Sequence, residues 1–379
     1  MATFPLVLLL VDFWLLSRPE RPWSEIRIRI WPLVRERVPF FGVAGLGLWL
    51  TMHALNAAGS LDPIWTGIGE RMARVPPNYV FYLAKVFYPS NLSVLHPLTD
   101  VRVPNTLLCV FLLIAISLAA VRTVRTQPWV LVGWLWFVLT LLPVSGLVTF
   151  NHFFVADRYT YISSIGLTLA VVVSLDRLTQ CKRFQRVVMV AIAAVVLGAC
   201  AIATRADLPR WHDSIALFDA ALKAGPHFGA YYNRGQAFLE IGRPDRAVED
   251  YTASLKMFPR YAMALNSRAA AWIALGRYDQ AIQDCDALLQ WTPGLASAYN
   301  NRANARCRKG RADQALTDYA QAIQLSPGNA LYYNTRAAAY YDLKGYGKAR
   351  RDLDQCKRLG GHPHPGLEQA LSQIEGGRE

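Results

Sequence analysis

Six cysteines stand in a chain of 379 residues, and no two of them fall at the spacing of a redox pair or of a Cys/His metal site. Cys109 and Cys200 lie in apolar runs, Cys181 in a basic loop, and Cys285, Cys307 and Cys356 in helical text, so free, partly buried thiols are expected. The chain also lacks a Gly-x-Ser-x-Gly elbow, a His-Glu-x-x-His zinc motif, a phosphate loop and a dinucleotide fingerprint. The motif-borne forms of serine hydrolase, zinc peptidase, nucleotide-cleaving enzyme and dehydrogenase are thereby excluded. His362, Pro363 and His364 form a lone terminal cluster that reads as a turn. No metal and no cofactor is expected.

Acids are scarce beside bases, 27 against 40, which gives a formal charge of +13. Such a balance suits nucleic acid, but no RNA- or DNA-binding motif accompanies it, and nucleic acid is not an expected partner. The basic residues of the first half sit in short connections between apolar runs, the pattern of cytoplasmic loops in membrane proteins.

What the chain has in abundance is apolar residues, 53% of the total, unevenly spread. They come in long blocks through about residue 204, after which the text turns polar, helical and alanine-rich. A helical span needs roughly 20 apolar residues. Candidates are about 2–16, 40–58, 106–121, 128–149, 159–175 and 187–204, which makes residues 1–204 a membrane half of about six spans.

Positive charge is retained on the cytoplasmic side. One set of connections holds Arg18, Arg21, Arg27, Arg29, Arg35 and Arg37, then Arg122 and Arg125, then Arg177, Lys182, Arg183 and Arg186. The alternate connections, 59–105 and 150–158, hold only Arg71, Arg74, Lys85, Arg102 and Arg158 in more residues. The second half is therefore expected outside the cytoplasm, in a periplasm or lumen. The same orientation puts Met1 on the outer face without the basic start or cleavage site of a leader, an arrangement that implies earlier spans before this stretch. Within the long outer loop, "RMARVPPNYVFYLAKVFYPSNLSVLHP" is too short to span comfortably, and an interfacial or re-entrant helix with its tyrosines at the headgroup level is expected. Asn91-Leu92-Ser93 matches a glycosylation sequon, a triplet common by chance.

The second half repeats itself every 34 residues. Gly242, Gly276 and Gly310 fall at one position of the unit, Ala247, Ala281, Ala315 and Ala349 at another, and Pro259, Pro293 and Pro327 at a third. Tyr231, Tyr299 and Tyr333 share a fourth, with Leu265 in the remaining unit. These marks resemble the tetratricopeptide unit. Its alanine lets two helix backbones approach, its glycine ends the first helix, and its proline cannot continue the second. Four repeats over about 228–361 are expected, preceded by a connecting partial unit at 205–227 and followed by a polar-faced capping segment at 362–379. No unit buries its apolar face alone, so neighbours stack into a superhelix.

Such an array presents a groove lined by its first helices. Its fifth position holds Tyr232, Asn266, Asn300 and Asn334, and its sixth Asn233, Ser267, Asn301 and Thr335. Asparagine amides carry both donors and acceptors, so this row can hold an extended peptide by its backbone. The plainer alternative is that the same side chains solvate the groove and bind nothing. At the seventh position Arg234, Arg268, Arg302 and Arg336 recur; packed stems, with heads in water or paired to acids such as Asp250 and Asp284, are expected of them rather than ligand contacts.

Four segments in order, "ATFPLVLLLVDFW", "VFYPSNLSVLHP", "PWVLVGWLWFVLTLLPVSGLV" and "ADRYTYISSIG", followed by these repeats, resemble the transmembrane and tetratricopeptide-repeat protein O-mannosyltransferases and their bacterial-type relatives. The resemblance covers essentially the whole chain. It implies an all-helical chain, a multi-pass bundle of GT-C type followed by a tetratricopeptide α-solenoid. It also implies a polyprenyl-phosphate sugar as donor, a protein acceptor recruited by the repeats, and paired catalytic acids in a first outer loop. The outer loops here hold only Asp62, Glu70, Asp100 and Asp157, each isolated, so the general base of that reaction is not expected in this chain.

Within that resemblance Arg158 is a candidate donor-phosphate contact, with Asp157 to orient it and Tyr159 and Tyr161 at the headgroup boundary. The competing reading has Arg158 snorkel to lipid phosphates while Asp157 caps the following helix. The corresponding alternative for the whole protein is a membrane-anchored repeat scaffold without transfer activity.

Overall fold

The apolar blocks of the first half show no alternation of period two, and helix is the form that satisfies their backbone groups internally. The computed structural model describes residues 3–16, 23–57, 68–88, 93–96, 103–146, 156–179 and 183–376, and every regular element among them is helical. Two units separate: Met1–His212 with Lys223–Gly225, and Asp213–Leu222 with Pro226–Glu379.

The first unit holds α1 (Phe4–Leu16), α2 (Trp23–Ala57), α3 (Ile68–Phe87), α4 (Val103–Arg122), α5 (Pro128–Leu141), α6 (Thr160–Thr179) and α7 (Arg183–Asp207). Residues 23–37, expected as part of an arginine-rich loop, are instead the first half of α2, which runs on through Pro32 and Pro39. Arginine is a good helix former, and each proline removes only one donor while apolar residues continue the helix. Arg37 donates from Nε and Nη2 to the two oxygens of Asp12, at 3.1 and 3.3 Å. The acid inside the apolar first run is thus paired.

Helix α3 faces α5 with its aromatic side. Tyr79 donates to the Val138 carbonyl at 2.7 Å, Asn78 to that of Ser145 at 2.8 Å, and Tyr82 is fully enclosed. These tyrosines serve the interior, with Trp134, Phe137 and Leu141 as their neighbours, and Tyr88 alone of the three is exposed. Helices α5 and α6 cross at two glycines. A Cβ at Gly133 would stand 2.4 Å from the Gly166 carbonyl oxygen and 2.7 Å from the Ala170 Cβ, so only glycine allows this approach.

Two of the described helices are long and apolar enough to cross a membrane, Pro104–Arg122 and Val187–Trp211. Leu107, Leu108 and Phe111 of α4 and Val190, Val195 and Leu197 of α7 stand exposed, a large apolar surface of the kind that meets lipid or other apolar helices.

The second unit takes in α8 (Ser214–Ala224) and then four helix pairs. These are α9 (Phe228–Glu240) with α10 (Pro244–Met257), α11 (Ala262–Ala274) with α12 (Tyr278–Trp291), α13 (Ala296–Arg308) with α14 (Ala312–Leu325), and α15 (Ala330–Asp342) with α16 (Tyr346–Arg358). Helix α17 (Pro365–Gly376) closes the end by burying Leu371 beside Leu353. Ala247, Ala281, Ala315 and Ala349 have no exposed surface, as their place between two helices requires. Gly242, Gly276 and Gly310 turn the chain at φ of 75°, 72° and 75°, and in the fourth pair Lys344 takes that left-handed conformation at 58°.

Candidate functional site

The first candidate lies where the chain re-enters its helices at Ala156. A turn of 3-10 helix, Asp157–Tyr159, leads into α6, and the Asp157 carboxylate reaches away from it. Its Oδ2 accepts the Ser93 backbone N–H at 2.5 Å and stands 2.9 Å from His96 Nε2. The imidazole nitrogen lies off the line of a hydrogen bond, so this contact is a charge pair only when the ring is protonated, and Asp157 Oδ1 is buried without a partner among the described residues. The His96 ring sits edge-on to Phe81, with 4.8 Å between centroids, and the Ala156 N–H donates to the Tyr82 hydroxyl at 3.3 Å.

Two stretches of sequence, 93–96 and 156–159, are therefore joined across α3. Tyr159 packs against the α3–α5 core, and Tyr161 is exposed. The side chain of Arg158, the expected phosphate contact, lies outside the described residues. His96 escapes a reading of the sequence because nothing there links it to an acid sixty-one positions away; a lone histidine in a polar turn is the only signal.

The second candidate is the repeat array, where position-specific demands place the same contacts again and again. Arg234, Arg268, Arg302 and Arg336 each donate from Nε and Nη2 to the two oxygens of Asp250, Asp284, Asp318 and Asp352, at 2.6–3.0 Å. Each pair lies within one repeat, and its bidentate geometry is the strong form of a charged hydrogen bond. The hydrogen bonds that Arg234 donates to Asp250 hold its pKa above the ordinary value, against the opposing pull of burial. Arg234, Arg302 and Arg336 also lie over the faces of Tyr231, Tyr299 and Tyr333. Paired heads and packed stems are what the sequence pattern leads one to expect of these arginines.

The asparagines form a connected row. Asn301 donates from Nδ2 to Asn266 Oδ1 at 3.0 Å, Thr335 to Asn300 Oδ1 at 2.8 Å, and the His364 backbone N–H to Asn334 Oδ1 at 3.2 Å. Each bond joins the fifth position of one repeat to the next repeat or, at the end of the array, to the cap, and α11, α13 and α15 are brought side by side in this way. Asn233 instead donates to Gly229 of its own helix at 2.8 Å. The Oδ1 acceptors of Asn266, Asn300 and Asn334 thus face a neighbouring repeat or the cap; Asn300 is buried, at 4% exposure, while Asn266 and Asn334 are half-buried. Deeper in the repeats, Tyr319 donates to Asn304 at 2.6 Å and Tyr251 to Gln236, and burial raises both phenol pKa values. These are framework contacts. Among the described residues no cluster of three or more His, Cys, Asp or Glu is placed to hold a metal.

One tetratricopeptide-repeat family model matches residues 205–251 and 232–296, and a second matches 303–344. Protein O-mannosyl-transferase TMTC1 of Homo sapiens is 30% identical over 140 residues, which is 36% of this chain and 16% of that protein. Its Mus musculus counterpart is 27% identical over 181 residues, 47% of this chain and 19% of that protein. Protein O-mannosyl-transferase Tmtc2 of Drosophila melanogaster is 27% identical over 124 residues, 33% of this chain and 13% of that protein. The chain thus spans less than a fifth of the length of these relatives. Among solved structures, a tetratricopeptide protein of Thermus thermophilus is 24% identical with a TM-score of 0.36, over 39% of this chain and 81% of that one. Tetratricopeptide repeats thus match much of the second half of the chain, and parts of the chain are similar at low identity to protein O-mannosyl-transferases.

Proposed function

We propose that the chain is a multi-pass membrane protein of the O-mannosyl-transferase kind, whose repeat array, outside the cytoplasm, holds an extended segment of a protein acceptor. The observation that carries this reading is the row Asn266, Asn300 and Asn334 along the first helices of successive repeats, with its Oδ1 acceptors engaged by the next repeat or the cap and Asn266 and Asn334 partly exposed. Donors at a 34-residue repeat meet main-chain carbonyls of an extended peptide whatever its sequence. In the same reading the lip at Asp157, Arg158 and Tyr159 contacts the phosphate of a polyprenyl-phosphate sugar. Paired catalytic acids are supplied from elsewhere.

The test uses the full chain in lipid nanodiscs and a panel of fluorescent unstructured peptides, read by anisotropy. Binding that falls about tenfold or more in Asn266→Ala with Asn334→Ala supports the groove; unchanged binding by the double variant removes it. A tenfold loss corresponds to about 1.4 kcal/mol, the worth of one or two good hydrogen bonds.

A second reading is a scaffold without transfer activity. It is favoured by the engagement of the Asp157 carboxylate with Ser93 and His96, contacts that join segments rather than meet a ligand. Binding of polyprenyl-phosphate mannose to the chain in nanodiscs, measured with and without Arg158→Ala, separates the two: binding that depends on Arg158 supports the first, and no binding supports the scaffold.

A further inference from the structure

The arginine of each repeat has a third arm. In the first three repeats its Nη1 reaches back to an oxygen on the preceding helix: Arg234 to Asp219 at 2.5 Å, Arg268 to Thr252 Oγ1 at 3.1 Å, and Arg302 to Asp286 at 2.6 Å. The acceptors differ in kind, and Asp219 stands one position later in its helix than Thr252 and Asp286 do in theirs, yet each receives the same arm of the arginine. In the fourth repeat the corresponding residue is Ala320, and Arg336 makes only its two bonds to Asp352, with no acceptor for Nη1 among the described residues.

The seat itself is preserved. The Arg336 side chain is 19% exposed, against 21%, 19% and 17% for Arg234, Arg268 and Arg302, so its head is held as deeply as theirs. It lies between the faces of Tyr333 and Tyr340, at 5.7 and 5.8 Å from their centroids. The seat is also open to solvent, since the carboxylates that fill it elsewhere, Asp219 and Asp286, are each 46% exposed, and Ala320 is exposed too. A guanidinium fixed by two bonds and two rings, with an exposed alanine where other repeats place an acceptor for its third arm, is preorganised for an oxygen acceptor.

We propose that Arg336, at the junction of α14 and α15, is a docking point for the carboxylate of an aspartate or glutamate side chain on a bound protein. The incoming acid takes the place that Asp219 holds beside Arg234 and Asp286 beside Arg302. Two independent arguments select a carboxylate: the cationic guanidinium, and the chain's use of aspartate for two of the three acceptors, Asp286 at the position equivalent to Ala320 and Asp219 one residue later in its helix. The inference does not rest on the asparagine row, and the contact lies at a different position of the repeat.

The full chain in detergent micelles is titrated with N-acetyl-aspartyl amide, and with N-acetyl-asparaginyl amide as the uncharged control, at fixed ionic strength. Thermal unfolding of the array is the readout. The aspartyl compound is expected to raise the midpoint saturably, by about 1–3 °C, and the asparaginyl compound to leave it in place. Ala320→Asp is expected to start higher and to show no further rise, because the seat is filled from within. No rise in the wild-type chain, an equal rise with both compounds, or an undiminished rise in Ala320→Asp overturns the proposal. If Ala320→Asp fails to fold, Ala320→Thr, which supplies the hydroxyl that Thr252 gives the second repeat, replaces it under the same criteria.

Discussion

Arg268 grips Asp284 with two parallel bonds, from Nε at 2.8 Å and from Nη2 at 2.7 Å, while its Nη1 reaches Thr252 on the helix before. One side chain thereby ties three helices: α11 that carries it, α12 of its own repeat, and α10 of the preceding one. Both partners are largely buried, with 19% and 10% of their side chains exposed. Removing one charge leaves the other without compensation in a place that water reaches poorly. Asp284→Asn is therefore expected to destabilise the array by about 2–3 kcal/mol, measured by urea unfolding followed through Trp272 and Trp291. Arg268→Met combined with Asp284→Leu is expected to recover most of that loss, since an apolar pair of similar size leaves no orphaned charge.

Lys344 holds a conformation that its three counterparts assign to glycine, at a φ of 58°. A left-handed residue with a Cβ costs about 1–2 kcal/mol, part of which glycine returns through the freedom of the unfolded chain. Lys344→Gly is expected to stabilise the fourth repeat by about 1 kcal/mol, with the gain concentrated in slower amide exchange across α15 and α16.

The crossing of α5 and α6 leaves no room for a side chain at Gly133. A Cβ there would meet the backbone oxygen of Gly166 at 2.4 Å, and backbone cannot rotate aside as a flexible side chain can. Gly133→Leu is expected to part the two helices and to break the bond from Trp136 to the Ile162 carbonyl, now 2.9 Å long. A red shift of tryptophan emission and a lower yield of monodisperse protein in detergent are the signs to look for. Gly198→Leu, at a site with open space within 4 Å, is expected to change neither.

The second half was readable because each mark answers a local demand. Gly242 needs a positive φ, Ala247 needs a helix at contact distance, and Pro259 ends a helix; each repeats at a fixed interval, so chance is quickly excluded. The pairing of Arg234 with Asp250 followed from the same spacing, sixteen residues apart in every unit. The first half offers no such redundancy. The run of arginines between the first two apolar blocks suggested a loop before Phe40, where helix propensity and the partner Asp12 favour an unbroken α2. The meeting of His96 with Asp157 depends on how α3 packs against α5, which no local pattern encodes.

Burial pushes the Cys285 thiol pKa up to about 12, with the nearby Asp284 charge adding to the effect. The unfolded chain gives up this proton near pH 9, the ordinary value, whereas the folded chain keeps it. The native state thus binds more protons across this window, and stability falls as pH rises from 9 toward about 12. The slope approaches about 1.4 kcal/mol per pH unit for one group. Urea unfolding at pH 8 and pH 10 is expected to show this loss in the parent chain, and a shallower loss in Cys285→Ala. Alkylation of Cys285 by iodoacetamide at pH 8 is expected only after the array unfolds.

The contact between Asp157 and Ser93 makes the last expectation specific. A carboxylate accepts a backbone N–H more strongly than a neutral oxygen does, by about 1 kcal/mol or more. At 2.5 Å, with Ser93 8% exposed, the bond is the main tie on segment 93–96 that crosses to another part of the chain. Asp157→Ala is expected to raise the exchange rate of the Ser93 amide about tenfold or more, and Asp157→Asn, which keeps the shape and one acceptor, to raise it less. His96→Phe removes the charge contact but preserves an edge-on ring against Phe81, so the Ser93 amide is expected to stay protected. If His96→Phe releases that amide as fully as Asp157→Ala does, the histidine and not the backbone bond is what fixes the lip. The role of Asp157 would then be to hold an imidazole in place.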